Sequence, residues 1–286
     1  MASHATGSSV QGTGETGTYS FAMTVSAVDV DYVIAGQGPP VYMVHGIGSR
    51  KTMWQPMIDA LSADFTCVAY DLRGHGNSPI PPVPYTLDQL VADLEGLRHR
   101  LGHEQIHVIG HSLGGMIGPA YALAYPDRTL TVGLLSTAAG RTEEDGAKVR
   151  GVVARMLSEG IDNVLTTLVD RWYTEPFAAA NPDIIAHRID QVLTTPAEVF
   201  LSVFDVYAET EMAPWLSEVD VPCLVLTGEN DPGCNPRLNE FIHGELPNSE
   251  LVILPELRHS IMVEAPGQVA VHVADFMSRH AGEPIG

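Results

Sequence analysis

The sequence predicts an α/β fold in which a mostly parallel sheet carries helices on both faces and is interrupted once by a helical insertion. Three observations lead there. Short, continuously apolar runs at residues 41–44, 106–109 and 223–227 read as strands buried on both sides, as parallel sheets require. Between such runs, apolar residues recur at helical spacing. Over residues 141–214 the alternation stops and helical spacing alone remains.

Taken in order, Phe21, Met23 and Val25 alternate with small or polar neighbours, and Val28, Val30 and Tyr32 alternate with Asp29 and Asp31. That two-residue period predicts half-exposed strands forming an opening hairpin. The run 41–44 predicts a buried strand ending at His45-Gly46, and Met53, Trp54, Met57, Ile58 and Leu61 mark one face of a helix. Residues 66–70 follow as a strand. Thr86 and Gln89 form a capping-box pattern opening a helix with Leu87, Leu90, Val91, Leu94, Leu97 and Leu101 on one side. A strand at 106–109, a helix over 114–125 stopped by Pro126, and a strand at 131–135 complete the first half. After the insertion come the strand at 223–227, a helix around 238–246, a strand at 251–254 and a closing helix from near Pro266. The expected organisation is a disordered arm over 1–19, a core formed by 20–140 and 215–286, and a helical cap over 141–214.

Composition narrows the function classes. The chain has 286 residues, with 15 Lys and Arg against 35 Asp and Glu, a formal charge of −20. Binding a polyanion needs a basic footprint that releases counterions, so a nucleic-acid partner is not expected. No apolar run reaches the length of a membrane span. The first nineteen residues, rich in Ser, Thr and Gly, lack the basic and apolar regions of a signal peptide, which makes a cytoplasmic protein the expectation. Three cysteines cannot pair fully; Cys67 and Cys223 sit in strand-like runs, and Cys234, three residues after Asp231, reads as a loop thiol. No metal-ligand spacing is present, and no metal or organic cofactor is expected. Oligomeric state is not legible, and a homo-oligomer stays open.

Chemistry concentrates in one pentapeptide. Gly110-His111-Ser112-Leu113-Gly114, followed by Gly115, matches G-x-S-x-G where an apolar strand runs into a helix. A sharp turn there would lift the Ser112 hydroxyl above the sheet, and a hydroxyl needs a base to act as nucleophile at neutral pH. The order Ser, acid, His predicts the partners. Asp231 lies just past the strand at 223–227, and His259 follows the next strand 28 residues later, which is room for one helix and one strand. Both fall at C-terminal strand ends, where open α/β folds bind ligands. Glu229 shares the turn with Asp231 and is the alternative acid. His243 and His272 lie in helical patterns and read as surface or packing residues. His45, His75 and His111 read as loop histidines bonded to nearby backbone. Donors for a developing oxyanion would be the Leu113 N–H and, in His45-Gly46-Ile47-Gly48, the Ile47 N–H.

These segments, with Asp71-Leu72-Arg73-Gly74-His75-Gly76-Asn77-Ser78 and Gly228-Glu229-Asn230-Asp231, resemble the ordered motif set of the α/β-hydrolase superfamily over nearly everything after residue 20. The resemblance implies an eight-stranded sheet with a helical cap inserted after the sixth strand. Within the superfamily the chain looks most like 3-oxoadipate enol-lactonases and related small-ester hydrolases. Gly46-Ile47-Gly48-Ser49 with Met53-Trp54, Ser136-Thr137-Ala138-Ala139 and Arg171-Trp172-Tyr173-Thr174 carry that likeness. Arg258, where a glycine is usual before the histidine, and His111 depart from it. The implied activity is hydrolysis of a small carboxylic ester or lactone through an acyl-enzyme. An amide hydrolase, a carbon–carbon bond hydrolase and a non-catalytic receptor on the same fold are the rivals. In the cap, Trp172, Phe177, Phe200, Phe204 and Tyr207 are candidate pocket walls. Arg141 or Arg171 could anchor a substrate carboxylate, with Arg50 and Lys51 as weaker candidates.

Overall fold

The apolar runs form the middle of a twisted sheet, and their neighbours decide which face each side chain takes. In the computed structural model, which describes residues 25–280, seven strands are ordered β1-β3-β2-β4-β5-β6-β7. They are β1 (Tyr32–Ala35), β2 (Pro40–Val44), β3 (Thr66–Tyr70), β4 (Ile106–His111), β5 (Thr129–Leu135), β6 (Cys223–Gly228) and β7 (Ser249–Leu254). Only β1 runs antiparallel, pairing Tyr32 with Tyr70 and Ala35 with Cys67; the remaining pairs are parallel. Alternate residues then enter different cores. Val41, Met43, Cys67, Ala69, Leu224 and Leu226 pack beneath α1 (Gln55–Leu61) and α11 (Pro266–His280). Tyr42, Val44, Val68, Val108, Val132 and Val225 join the opposite core with α2 (Leu87–Leu101) and α3 (Gly114–Ala124). Burial on both faces is why these strands are apolar throughout.

Local signals set several boundaries. Thr86 caps α2 through the reciprocal bonds of a capping box, Gln89 N to Thr86 Oγ1 at 3.3 Å and Thr86 N to Gln89 Oε1 at 3.1 Å. Gly102, left-handed at φ 74°, ends that helix. α3 stops before Pro126, as the sequence suggests.

Two expectations need correction. Seven strands, not eight, lie among the described residues, so the helical insertion follows the fifth of them rather than the sixth. The alternation from Val28 is not strand until Tyr32, because other partners take the backbone first: Val28 N–H donates to Asp93 Oδ1 at 2.7 Å and Asp31 N–H to Ser78 Oγ at 2.9 Å. Phe21, Met23 and the expected arm over 1–19 fall outside the described residues.

Between β5 and β6 the chain forms α4 (Glu143–Glu159), α5 (Ile161–Trp172), α6 (Glu175–Ala180), α7 (Pro182–Leu193) and α8 (Ala197–Glu209). Met156, Val164, Leu165, Leu168, Val192 and Phe200 give these helices a small core of their own, against which Ile47 and Trp172 also pack. The later core helices are α9 (Pro236–Glu245) and the short α10 (Ile261–Glu264). Among the described residues no helix is long and apolar enough to cross a membrane.

Candidate active site

Ser112 sits between β4 and α3 at φ 57°, a left-handed conformation that a residue with a Cβ adopts only when its surroundings enforce it. Three hydrogen bonds do so. Its N–H donates to Leu135 O at 2.9 Å, and its carbonyl accepts from Gly115 N at 2.9 Å and Thr137 Oγ1 at 2.8 Å. The flanking glycines make the bend fit: a Cβ on Gly110 would stand 2.0 Å from Gly114 O, and one on Gly114 would stand 2.1 Å from Val44 O.

Asp231 follows β6 and is buried. Oδ1 accepts from the N–H groups of Gly233 and Cys234, each at 2.9 Å, which fixes the carboxylate and turns Oδ2 toward His259 Nδ1 at 2.7 Å. Burial alone would raise this carboxyl pKa, but the imidazole and the two amides outweigh it and hold the group below the usual range. For His259 the same pair works in reverse. Burial pushes the imidazole down, and the facing carboxylate more than offsets this and raises it. In the neutral imidazole, the bond to Asp231 places the proton on Nδ1 and leaves Nε2 as the free lone pair. Glu229, the alternative acid, instead accepts the Glu256 N–H at 3.0 Å.

Ser112, Asp231 and His259 line one cavity, together with Gly46 and Ile47 from the loop after β2. Ser112 and His259 share it without a direct hydrogen bond, a looseness common at such sites before substrate binds. The Ile47 and Leu113 amides, one from each loop, have no acceptor among the described residues. The cavity encloses about 130 Å³, small beside the roughly 300–1,000 Å³ of pockets for drug-sized ligands. A small ligand suits it. Asp231, Cys234 and His259 offer three potential metal-ligand atoms within 4.8 Å of one another. The bond already joining carboxylate and imidazole makes this an acid–histidine pair first.

The loop histidines hold backbone. His45 donates from Nδ1 to Gly46 O at 2.7 Å and accepts Leu72 N–H on Nε2 at 3.0 Å. His75 accepts Gly48 N–H on Nε2 at 3.1 Å and bonds Arg73 O through Nδ1. Burial pushes both down to about 3, so both stay neutral. His111 reaches further than a local bond. Its Nε2 donates to His259 O at 3.0 Å, with the two rings 4.6 Å apart, and burial followed by the His259 charge keeps it neutral.

Of the insertion residues singled out from sequence, Arg171, Trp172, Phe200, Phe204 and Tyr207 line the cavity. Arg141 and Phe177 do not. Arg141 donates to Tyr207 O and Thr210 O, both at 3.0 Å, and lies over the Tyr207 ring at 4.4 Å, behind the wall. Phe177 stacks on Tyr173 at 5.6 Å, also one layer back. Arg50 bonds Thr194 and Lys51 binds Asp31 and Asp71, so neither serves the cavity. Cys234, read as an incidental thiol, lines it with Sγ 3.3 Å from Tyr207 Oη. Arg188 was missed. It lines the cavity from α7, and nothing in that helix's polar spacing distinguishes it from a solvated arginine.

Comparison with known proteins agrees with this architecture. The family described as alpha/beta hydrolase fold matches residues 39–266. The chain is 30% identical over 252 residues to 3-oxoadipate enol-lactonase 2 of Acinetobacter baylyi, covering 87% of this chain and 93% of that protein. It superposes on the enol-lactonase of Burkholderia xenovorans with a TM-score of 0.81 at 27% identity, over 88% of this chain and 99% of that one. A thermophilic esterase from Thermogutta terrifontis follows at 0.80 and 28% identity, over 88% of this chain and 94% of that one. A family match over this much of the sequence, joined to superposition on the two solved structures along nearly their whole length, means that the chain belongs to the α/β-hydrolase fold family.

Proposed function

We propose that the protein is a serine hydrolase that cleaves a small carboxylic ester or lactone. One observation carries the reading: a serine held at positive φ faces the same cavity as an imidazole whose far nitrogen is bonded to a buried carboxylate. In the proposed reaction Ser112 Oγ attacks the carbonyl carbon while His259 Nε2 takes its proton. The imidazolium so formed is stabilised by Asp231. Negative charge moves to the carbonyl oxygen, which the Ile47 and Leu113 amides receive. Collapse breaks the carbon–oxygen bond to the leaving group, which collects the proton from His259. Water, deprotonated by the same imidazole, then attacks the acyl-enzyme and frees Ser112.

The segment 141–214 acts in this reading as a cap on a core of 20–140 and 215–286, with Trp172 and Phe204 as walls for the acyl group. Arg171, which has no ion-pair partner among the described residues, would receive a substrate carboxylate. Relatives named for 3-oxoadipate enol-lactone make an acidic enol-lactone the substrate class to try first. The test is Ser112→Ala assayed on lactones, aryl esters, amides and vinylogous diketones. Turnover on esters or lactones should fall by several orders of magnitude with folding unchanged; near-normal turnover would refute the assignment.

A further inference from the structure

The geometry points to Arg188 as a positioning residue through which the helical insertion sets the oxyanion loop; this rests on the hydrolase reading above. Arg188 reaches from α7 across to the loop after β2 and donates to two successive carbonyls, from Nη2 to Ile47 O at 2.9 Å and from Nη1 to Gly48 O at 2.5 Å. Its guanidinium lies 4.4 Å from the centroid of the Trp172 ring, and no carboxylate pairs with it among the described residues. Loss of hydration lowers its pKa to about 10, which still leaves it charged at neutral pH. A half-buried cation left without an acid is costly unless its donors are used well. Here they are used on backbone beside the reacting serine.

Peptide planarity makes this consequential. Each carbonyl fixed in direction fixes a whole plane and the N–H at its other end. The plane carrying the Ile47 N–H is held through Gly46 O, which accepts from His45 at 2.7 Å and from Ser49 N at 3.2 Å. The next two planes are held by Arg188. Gly48 N–H, in the first of these, is also bonded to His75 at 3.1 Å. Gly48 itself has φ 62°, and a Cβ there would stand 2.5 Å from Phe200 Cε2, so α8 closes on the loop as α7 grips it. His45 pins the plane before Ile47, His75 and Arg188 together pin the plane after it, and Arg188 pins the next. The φ and ψ of Ile47 relate the first two of these planes, so the insertion helps to set the direction of the Ile47 N–H from outside the sheet.

Removing an oxyanion donor costs roughly 10²–10³ in kcat, and letting one drift should cost less. The experiment compares wild type with Arg188→Gln and Arg188→Lys on a neutral aryl ester, and measures inhibition by phenylboronic acid, which forms a tetrahedral anionic adduct on the serine. For Arg188→Gln the account expects kcat down about 10- to 100-fold, boronate affinity weakened by a similar factor, and KM changed far less. Lysine, a point charge without the planar fork, should recover only part of the loss. Boronate affinity and kcat within twofold of wild type in a folded Arg188→Gln protein would overturn the proposal. So would a loss confined to KM for acidic esters, which would make Arg188 a substrate anchor. If the glutamine variant does not fold, Arg188→Lys decides by the same two readouts. Failure of the hydrolase reading would show separately, as a wild-type protein that neither turns over esters nor binds the boronate.

Discussion

A serine at positive φ stores strain of about 1–3 kcal/mol, and three hydrogen bonds to its backbone N–H and carbonyl keep Ser112 there. Asp231 and His259 are likewise over-determined, each by a partner that its own loop does not supply. The pH dependence follows from the directions of their shifts. Catalysis needs neutral His259, so kcat/KM should fall as pH drops through its pKa, and a raised value puts that limb above the ordinary imidazole value near 6.5. Asp231→Asn removes the charge that raises it and leaves burial to push it down. The acid limb should then move to lower pH while turnover falls by about 10⁴-fold, from loss of the imidazolium's partner and of the correct tautomer. A pH–rate profile of both proteins checks this; a limb that does not move would exclude Asp231 as the group that sets it. At this scale the sequence was informative about where Ser112, Asp231 and His259 lie, because the proposed chemistry prescribes residue types, an order and strand-end positions. It was uninformative about Arg188, whose contacts span 140 and 141 residues.

At the scale of elements, the insertion is held against the sheet on both sides of the cavity. Toward the histidine loop, Ser260 N–H donates to Trp172 O at 2.9 Å, Arg258 Nη1 to Tyr173 O at 3.0 Å and Thr174 Oγ1 to Glu264 at 2.6 Å. Toward the loop after β2 stand Arg188 and Phe200. Arg258, the departure from the usual glycine, thus has a structural use as a staple. Helical spacing could not separate cavity wall from the layer behind it: Trp172 and Phe177 look equivalent in sequence, yet only Trp172 lines the cavity. Trp172→Ala should therefore lower kcat/KM roughly 10-fold or more, whereas Phe177→Ala should change it little. Equal effects in steady-state assays would mean that the wall is wrongly drawn. The alternation at Val28 misled for a related reason. Period two records which side chains are buried, and a segment tied down by Asp93 and Ser78 buries alternate residues without joining a ladder.

Across the whole molecule, parallel topology does the assembling. β4, β6 and β7 run the same way, so the segments leaving their C-terminal ends bring residues 112, 231 and 259 to one edge of the sheet. That much was legible because doubly buried strands must be apolar throughout and their connections must alternate with helices. The strand count was less legible, since edge strands such as β1 are half-exposed and short. The account's central claim is that this convergence activates one hydroxyl. Labelling the intact protein with a fluorophosphonate and mapping the adduct by peptide mass spectrometry tests it most directly. The account predicts one phosphonyl group, on Ser112, abolished in folded His259→Ala; a folded wild-type protein that stays unlabelled, or an adduct on another residue, would contradict it.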